Sequence, residues 1–221
     1  IILKPAITQL KKIMIAKTES KIGYLMGAGD LVAQNIQNIG YDVDILNIDE
    51  VSKENLQKYD VIILGIRAFN TISELKFKNE ILFQFIENGG TLINQYNTNH
   101  SLVTEKIAPF DLKLSKDRIT DEDAMVKFLK PNHQVLNFPN KITSNDFKGW
   151  TQEQGLYYAD QFDSRFEPIL ESKDFNDPKT NGILLIAPYG KGVYVYTGLS
   201  FFRQLPAGVP GAYKLFANLI A

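Results

Sequence analysis

Cysteine is absent from the 221-residue chain. That excludes disulfides, thiolate nucleophiles, zinc–thiolate sites and iron–sulfur clusters. Histidine occurs only at His100 and His133, too far apart to form the closely spaced imidazole pair of many metal motifs, so no metal is expected. No run of 18 or more apolar residues occurs, and no membrane-spanning helix is expected. The formal net charge is -1, without the basic surplus that nucleic-acid readers usually carry, so nucleic acid is not an expected partner. Tryptophan occurs once, at Trp150.

What is present describes a globular domain. Hydrophobic residues make up 44% and charged residues 22%, enough to bury a core without staples. The chain opens at Ile1 rather than Met, and residues 1–20 read as the leader or tail of a preceding domain, with a short helix or strand over Ile7–Ile15. From Lys21 a rhythm sets in. Ile22–Met26 is a short apolar run closed by Gly27-Ala28-Gly29-Asp30, the pattern of a buried strand. A helix runs from an Asp30 cap to Ile39, and Gly40 stops it. Tyr41–Ile48 reads as a strand, Ser52–Tyr59 as a capped helix, and Val61–Gly65 as a β-branched central strand. A helix over Ser73–Glu87 ends at Gly89-Gly90, and Thr91–Gln95 follows as a fourth strand. Alternating strands and helices predict an α/β fold: a flavodoxin-like three-layer sandwich around a mainly parallel sheet, over residues 21–221. Residues 96–122 read as a long polar loop. Short strands are expected near Met125–Leu129, Leu156–Tyr158 and Pro168–Leu170, then a hairpin of Ile183–Ala187 and Val193–Thr197, and a last helix over Gly211–Ala221.

In open α/β sheets, ligands sit beyond the carboxyl ends of the strands. This rule selects Gly27–Asp30, Ile66–Thr71, Tyr96–His100 and Leu199–Gln204, with the Arg118 segment over them. Gly27–Asp30 lacks the third glycine of a dinucleotide fingerprint and reads as a tight turn with a helix cap. Tyr96–His100 offers no Ser or Cys between small neighbours, which argues against a nucleophile elbow. The acidic run Asp117–Asp123 lacks calcium-loop spacing and reads as a solvated loop. Trp150, near Gln152 and Glu153, reads equally as a sugar platform or a packing ring. Arg67, Asn70, Asn97, Arg118 and Arg203 are the expected ligand-binding residues, because guanidinium and amide groups hydrogen-bond to hydroxyls and carboxylates. The alternative is a cryptic hydrolase or isomerase with Asp30, Glu153 or His100 as base. A third reading is a purely structural interaction domain.

The segments Pro131-Asn132-His133 and Tyr189-Gly190-Lys191-Gly192-Val193-Tyr194-Val195-Tyr196-Thr197-Gly198-Leu199 resemble the trehalose-utilisation branch of the class I glutamine-amidotransferase-like superfamily. Lys21–Asp30, Gly65–Thr71 and Gly198–Gly211 resemble the C-terminal region of large PIG-L-type, de-N-acetylase-like proteins. Active members of the superfamily use a Cys-His-Glu triad, and without the Cys that reaction is not carried over. No His-Pro-Asp motif occurs, so a metal-dependent deacetylase domain, if present, lies upstream. The resemblance implies a non-catalytic domain without a cofactor, partnered by the N-terminal deacetylase-like domain of its parent. It also implies a carbohydrate ligand and an extracytoplasmic (periplasmic or secreted) location.

Overall fold

The structure, a computed structural model, describes residues 12–221. Most of the expected Ile7–Ile15 element lies outside the described residues, and residues 12–20 carry no regular structure. This segment is nonetheless fastened to the domain. Asn140 exchanges hydrogen bonds with the Ala16 backbone, at 2.9 and 2.8 Å, and Ile13 and Ile15 pack on the core.

The first half alternates as its punctuation predicts. Strand β1 (Lys21–Leu25) leads to α1 (Val32–Asn38), β2 (Asp42–Leu46), α2 (Lys53–Leu56), β3 (Val61–Leu64), α3 (Ala68–Thr71), α4 (Leu75–Glu87) and β4 (Thr91–Gln95). Ser52 Oγ accepts from Asn55 N at the start of α2. Gly40, just beyond α1, has φ +92, a left-handed conformation that costs an L residue about 1–2 kcal/mol. Gly40→Ala should therefore lower stability by about 1 kcal/mol, read as a shifted urea midpoint at unchanged m-value.

The second half carries β5 (Leu112–Leu114), β6 (Arg118–Ile119), β7 (Lys127–Phe128), β8 (Gly155–Leu156), β9 (Ala159–Phe162), β10 (Glu167–Pro168), β11 (Leu170–Glu171), β12 (Leu184–Tyr189), β13 (Gly192–Thr197), α5 (Phe201–Gln204) and α6 (Pro210–Ile220). The seven-stranded main sheet runs β10-β12-β13-β4-β3-β1-β2. Strands β2, β1, β3, β4 and β13 are parallel, in the flavodoxin-like 2-1-3-4-5 order. Strands β12 and β10 extend this sheet antiparallel. Three two-stranded antiparallel ribbons, β5·β9, β6·β8 and β7·β11, lie outside it. Two of them, β5·β9 and β6·β8, draw a strand from residues 96–122, which therefore are not all loop.

Side chains alternate across the main sheet into two cores, giving three layers. Ile22, Tyr24, Ile63, Ile93 and Val195 face α1 and α6. Leu25, Ile62, Leu64, Leu92 and Tyr194 face α2, α3 and α4. Trp150 belongs to the first core, not to a sugar platform. It is 2% exposed, stacks on Phe147 at 5.5 Å, and donates its indole N–H to the Asp146 carbonyl. No described helix is long and apolar enough to cross a membrane.

Candidate functional site

Three loops and one short helix meet beyond the carboxyl ends of β3, β4 and β13. The β3–α3 turn turns sharply at Arg67, which has φ 57 and ψ 27. Its N–H donates to the Tyr96 carbonyl at 2.8 Å, and its carbonyl accepts from Asn70 and Thr71. The backbone is thus tied on both sides of Arg67. The post-β4 loop brings Tyr96, whose ring packs on Phe202 at 5.2 Å and stacks on Tyr157 at 6.1 Å. His100 meets the Tyr157 ring edge-on at 6.5 Å.

The Gln152–Leu156 loop supplies the charge. Glu153 has a side chain only 4% exposed. Arg118 donates to its Oε2, and Arg203 Nε donates to its Oε1 at 3.0 Å. The bond to Glu153 raises the Arg118 guanidinium further above its ordinary value. Arg203 also donates to the Gln152 amide oxygen and lies 4.8 Å from the Phe202 ring. The loop is fastened from beneath: Ser200 Oγ donates to the Glu153 carbonyl at 2.6 Å. Gln204, fully buried, accepts from Thr151 N–H and donates to the Thr151 and Glu153 carbonyls. Burial pushes the Tyr96 phenol up, and the neighbouring Arg67 and Arg203 guanidinium groups pull the other way.

Of the five residues expected to bind ligand, Arg118 and Arg203 converge on one carboxylate, and Arg67 stands with them beside Tyr96. The two asparagines are engaged within the domain. Asn97 is fully buried and accepts from Phe69 N–H at 2.9 Å while donating to Asn94 and the Gln95 carbonyl. Asn70 accepts from Thr98 N–H at 2.9 Å and donates to the His100 carbonyl at 3.0 Å. Both staple the α3 turn to the post-β4 loop, so their polar atoms serve the backbone. Gln204, expected at the cleft, is buried in the same kind of work.

The carboxylates weighed as bases are also engaged. Asp30 accepts from Tyr24 OH at 2.7 Å, Val32 N–H at 2.9 Å and Ile66 N–H at 3.2 Å. Burial, with Asp30 alongside, holds the Tyr24 phenol well above its usual range. Among the described residues no hydrogen bond joins Asp30, Glu153 and His100. Gly27 serves close packing rather than a phosphate cradle: a Cβ there would lie 2.1 Å from the Ile66 carbonyl oxygen, and the next N–H, of Ala28, already donates to that oxygen. The acidic residues of the run Asp117–Asp123 are exposed while Ile119 is buried, and Asp174 holds the run by accepting from Thr120 and Asp121. Among the described residues no group of three or more His, Asp or Glu side chains is arranged to hold a metal ion.

Two kinds of unrelieved cost gather at this mouth. Five described non-glycine residues have positive φ, and four of them, Arg67, Ser101, Gln152 and Tyr157, lie in its loops. Five buried side-chain polar atoms lack a partner among the described residues, and Arg67 Nε, Gln95 Oε1, Asn99 Oδ1 and Tyr158 OH lie in or directly beneath these loops. Such strain and unmet polarity concentrate at functional sites. A cavity of about 440 Å3 opens at the opposite edge of the sheet, between α2 and α4. Its walls, including Lys53, Tyr59, Phe85 and Asn88, hold none of those residues or atoms, so the mouth is the stronger candidate.

No protein-family model matches the chain, and no curated protein matches it. Solved structures do. A cytoplasmic protein from Salmonella typhimurium is 16% identical at a TM-score of 0.58, over 90% of this chain and 97% of that one. A β-galactosidase from Rahnella sp. R3 is 14% identical at a TM-score of 0.55, over 90% of this chain but 31% of that one. A protein from Bacteroides uniformis described as ThuA-like is 14% identical at a TM-score of 0.53, over 96% of this chain and 94% of that one. The chain thus has a flavodoxin-like α/β fold that it shares with a ThuA-like protein.

Proposed function

We propose that this domain is a non-catalytic binding module whose mouth, at the carboxyl edge of β3, β4 and β13, takes a glycan or similar polar ligand. The observation that carries the reading is the gathering of four of the five left-handed non-glycine residues in the loops of one mouth. Each such residue costs of order 1–3 kcal/mol, and that cost persists where surroundings over-determine the geometry. Aromatic faces from Tyr96, Tyr157 and Phe202 beside guanidinium groups suit a ligand with both apolar and polar faces. The roles are binding roles, because Asp30 and Glu153 already have their oxygens committed.

The module belongs, in this reading, to a larger de-N-acetylase-like protein of the amidotransferase-like superfamily, working outside the cytoplasm. It would there bind the parent's glycan or position its catalytic domain. Support comes from the motif resemblance and from the β-galactosidase likeness, where the matched region is about a third of a larger chain. The Salmonella neighbour's cytoplasmic description belongs to that protein.

The test is a thermal-shift screen against N-acetylated sugars, uronic acids, nucleotides and divalent metals. A ligand at about 100 times its Kd adds about 2.7 kcal/mol of stability. A sugar hit lost on Arg203→Ala is expected. A nucleotide or metal hit unaffected by that change would refute the reading, and silence from every class would favour an interaction domain.

A further inference from the structure

Four arginines occur in the chain. Arg118 and Arg203 pair with Glu153, and Arg165 pairs with Asp163 at 2.7 Å. Arg67 pairs with no carboxylate among the described residues, and residues 1–11 contain no acidic side chain. Its Nε is buried without a hydrogen-bond partner among the described residues. A buried guanidinium nitrogen left unmatched is costly, and a planar carboxylate is the group whose geometry matches its fork. Arg165 shows what that match looks like, its Nε and an Nη each donating to one oxygen of Asp163; the other two arginines of the mouth each give Glu153 one bond. The mouth thus keeps one carboxylate held by two arginines and leaves a third arginine without one among the described residues.

The surroundings of Arg67 say what carries the missing carboxylate. Its turn is bonded directly to Tyr96, and Tyr96, Tyr157 and Phe202 form one aromatic wall. Tyr157 and Phe202 are half-buried rather than sealed, so part of each ring remains accessible. Asn99, in the loop that follows Tyr96, holds an unpartnered amide oxygen, an acceptor suited to a hydroxyl. A carboxylate, a ring with apolar C–H faces and at least one hydroxyl are together the chemistry of an acidic sugar.

We infer that the mouth is specific for a sugar bearing a carboxylate, with the carboxylate on Arg67 and the sugar ring against the Tyr96–Tyr157–Phe202 wall. This rests on the binding-module reading and narrows its ligand class. It involves no covalent step: the site holds the sugar acid as its ionised carboxylate.

The experiment compares D-glucuronate and D-galacturonate with D-glucose and D-galactose by isothermal titration on the intact chain, with acetate as a ringless carboxylate. Either uronate should bind about 10- to 100-fold more tightly than its neutral counterpart, the usual worth of a charge-assisted pair. Arg67→Gly should abolish that preference. This variant suits the test because glycine adopts the left-handed conformation freely, so the turn keeps its shape; a circular-dichroism melt checks that it folds. Tyr157→Ala should weaken the uronate while leaving acetate unchanged. Neutral sugars binding as well as uronates would overturn the carboxylate inference and leave the glycan-binding module standing. Acetate binding as tightly as the uronates would overturn the sugar assignment. No binding by any of the five probes would overturn the inference, and the broader screen then decides on the module itself.

Discussion

Replacing Arg118 and Arg203 together by alanine should cost the domain about 3–5 kcal/mol, far more than the two single changes added. Glu153 is the reason. Its side chain is 4% exposed, and each oxygen has one guanidinium donor. Removing both donors strands a carboxylate in the protein interior, and an uncompensated buried charge is what makes broken internal ion pairs expensive. Each single variant leaves the other arginine in place. Because Arg118 is 52% and Arg203 34% exposed, water screens what remains, and a single loss should stay near 1 kcal/mol. Urea unfolding of the two singles and the double gives the coupling directly. Adding Glu153→Gln to the double variant should restore most of the loss, because a neutral amide tolerates the site that a lone carboxylate does not. Additive single effects of about 1 kcal/mol each would show that Glu153 is not the hub of this loop.

Gly27→Val should be nearly as damaging, by about 3–5 kcal/mol, for a different reason. A Cβ at position 27 would lie 2.1 Å from the Ile66 carbonyl oxygen and 2.8 Å from Ala68 N. Both are backbone atoms, so no side chain can swing aside. Overpacking alone typically costs about 1–3 kcal/mol. Here the β1–α1 loop must also part from the β3–α3 turn, losing the 2.8 Å bond from Ala28 N–H to Ile66. The same displacement moves Arg67, so any ligand bound at the mouth should be lost along with stability. A melting temperature within about 2 °C of the parent would mean that the two loops yield easily, and the turn that carries Arg67 would then not be rigidly held.

The first half of the fold was legible because its punctuation is local. Gly40 and Gly89-Gly90 end helices, and the Val61–Leu64 run is buried throughout and β-branched over Val61–Ile63. The hairpin of β12 and β13 and the closing helix α6 were legible for the same reason. In the ribbons β6·β8 and β7·β11, strands β7, β8 and β11 fall at or beside the short strands expected, but β6 and both pairings were not legible, since two-residue strands exist only through their partners. Helix α3 escaped notice because its entry depends on Arg67 turning left-handed, which a non-glycine residue seldom does.

The mouth divides along similar lines. The loops that the rule for open α/β sheets selects do come together, and Arg67, Arg118 and Arg203 stand among them. The stapling bonds of Asn70 and Asn97 were not legible, because an asparagine that staples backbone and one that greets a ligand look identical in a sequence. The Arg118–Glu153–Arg203 meeting joins groups 35 and 50 positions apart, and the aromatic wall joins Tyr96 to Phe202. Only tertiary structure creates such juxtapositions.

The parallel pairing of β4 with β13 sets Thr91 against Val193 and Gln95 against Thr197. Between them lies one long excursion that touches the sheet only at its edge, through β10 and β12. The mouth takes Tyr96 from the start of that excursion, Glu153 and Tyr157 from its middle, and Phe202 and Arg203 from just past its end. Loop closure of this span is entropically costly, and contacts so distant in sequence slow folding. Ligand binding at this mouth therefore reports on the whole chain having folded: no truncated or partly synthesised version ending before β13 holds a complete site.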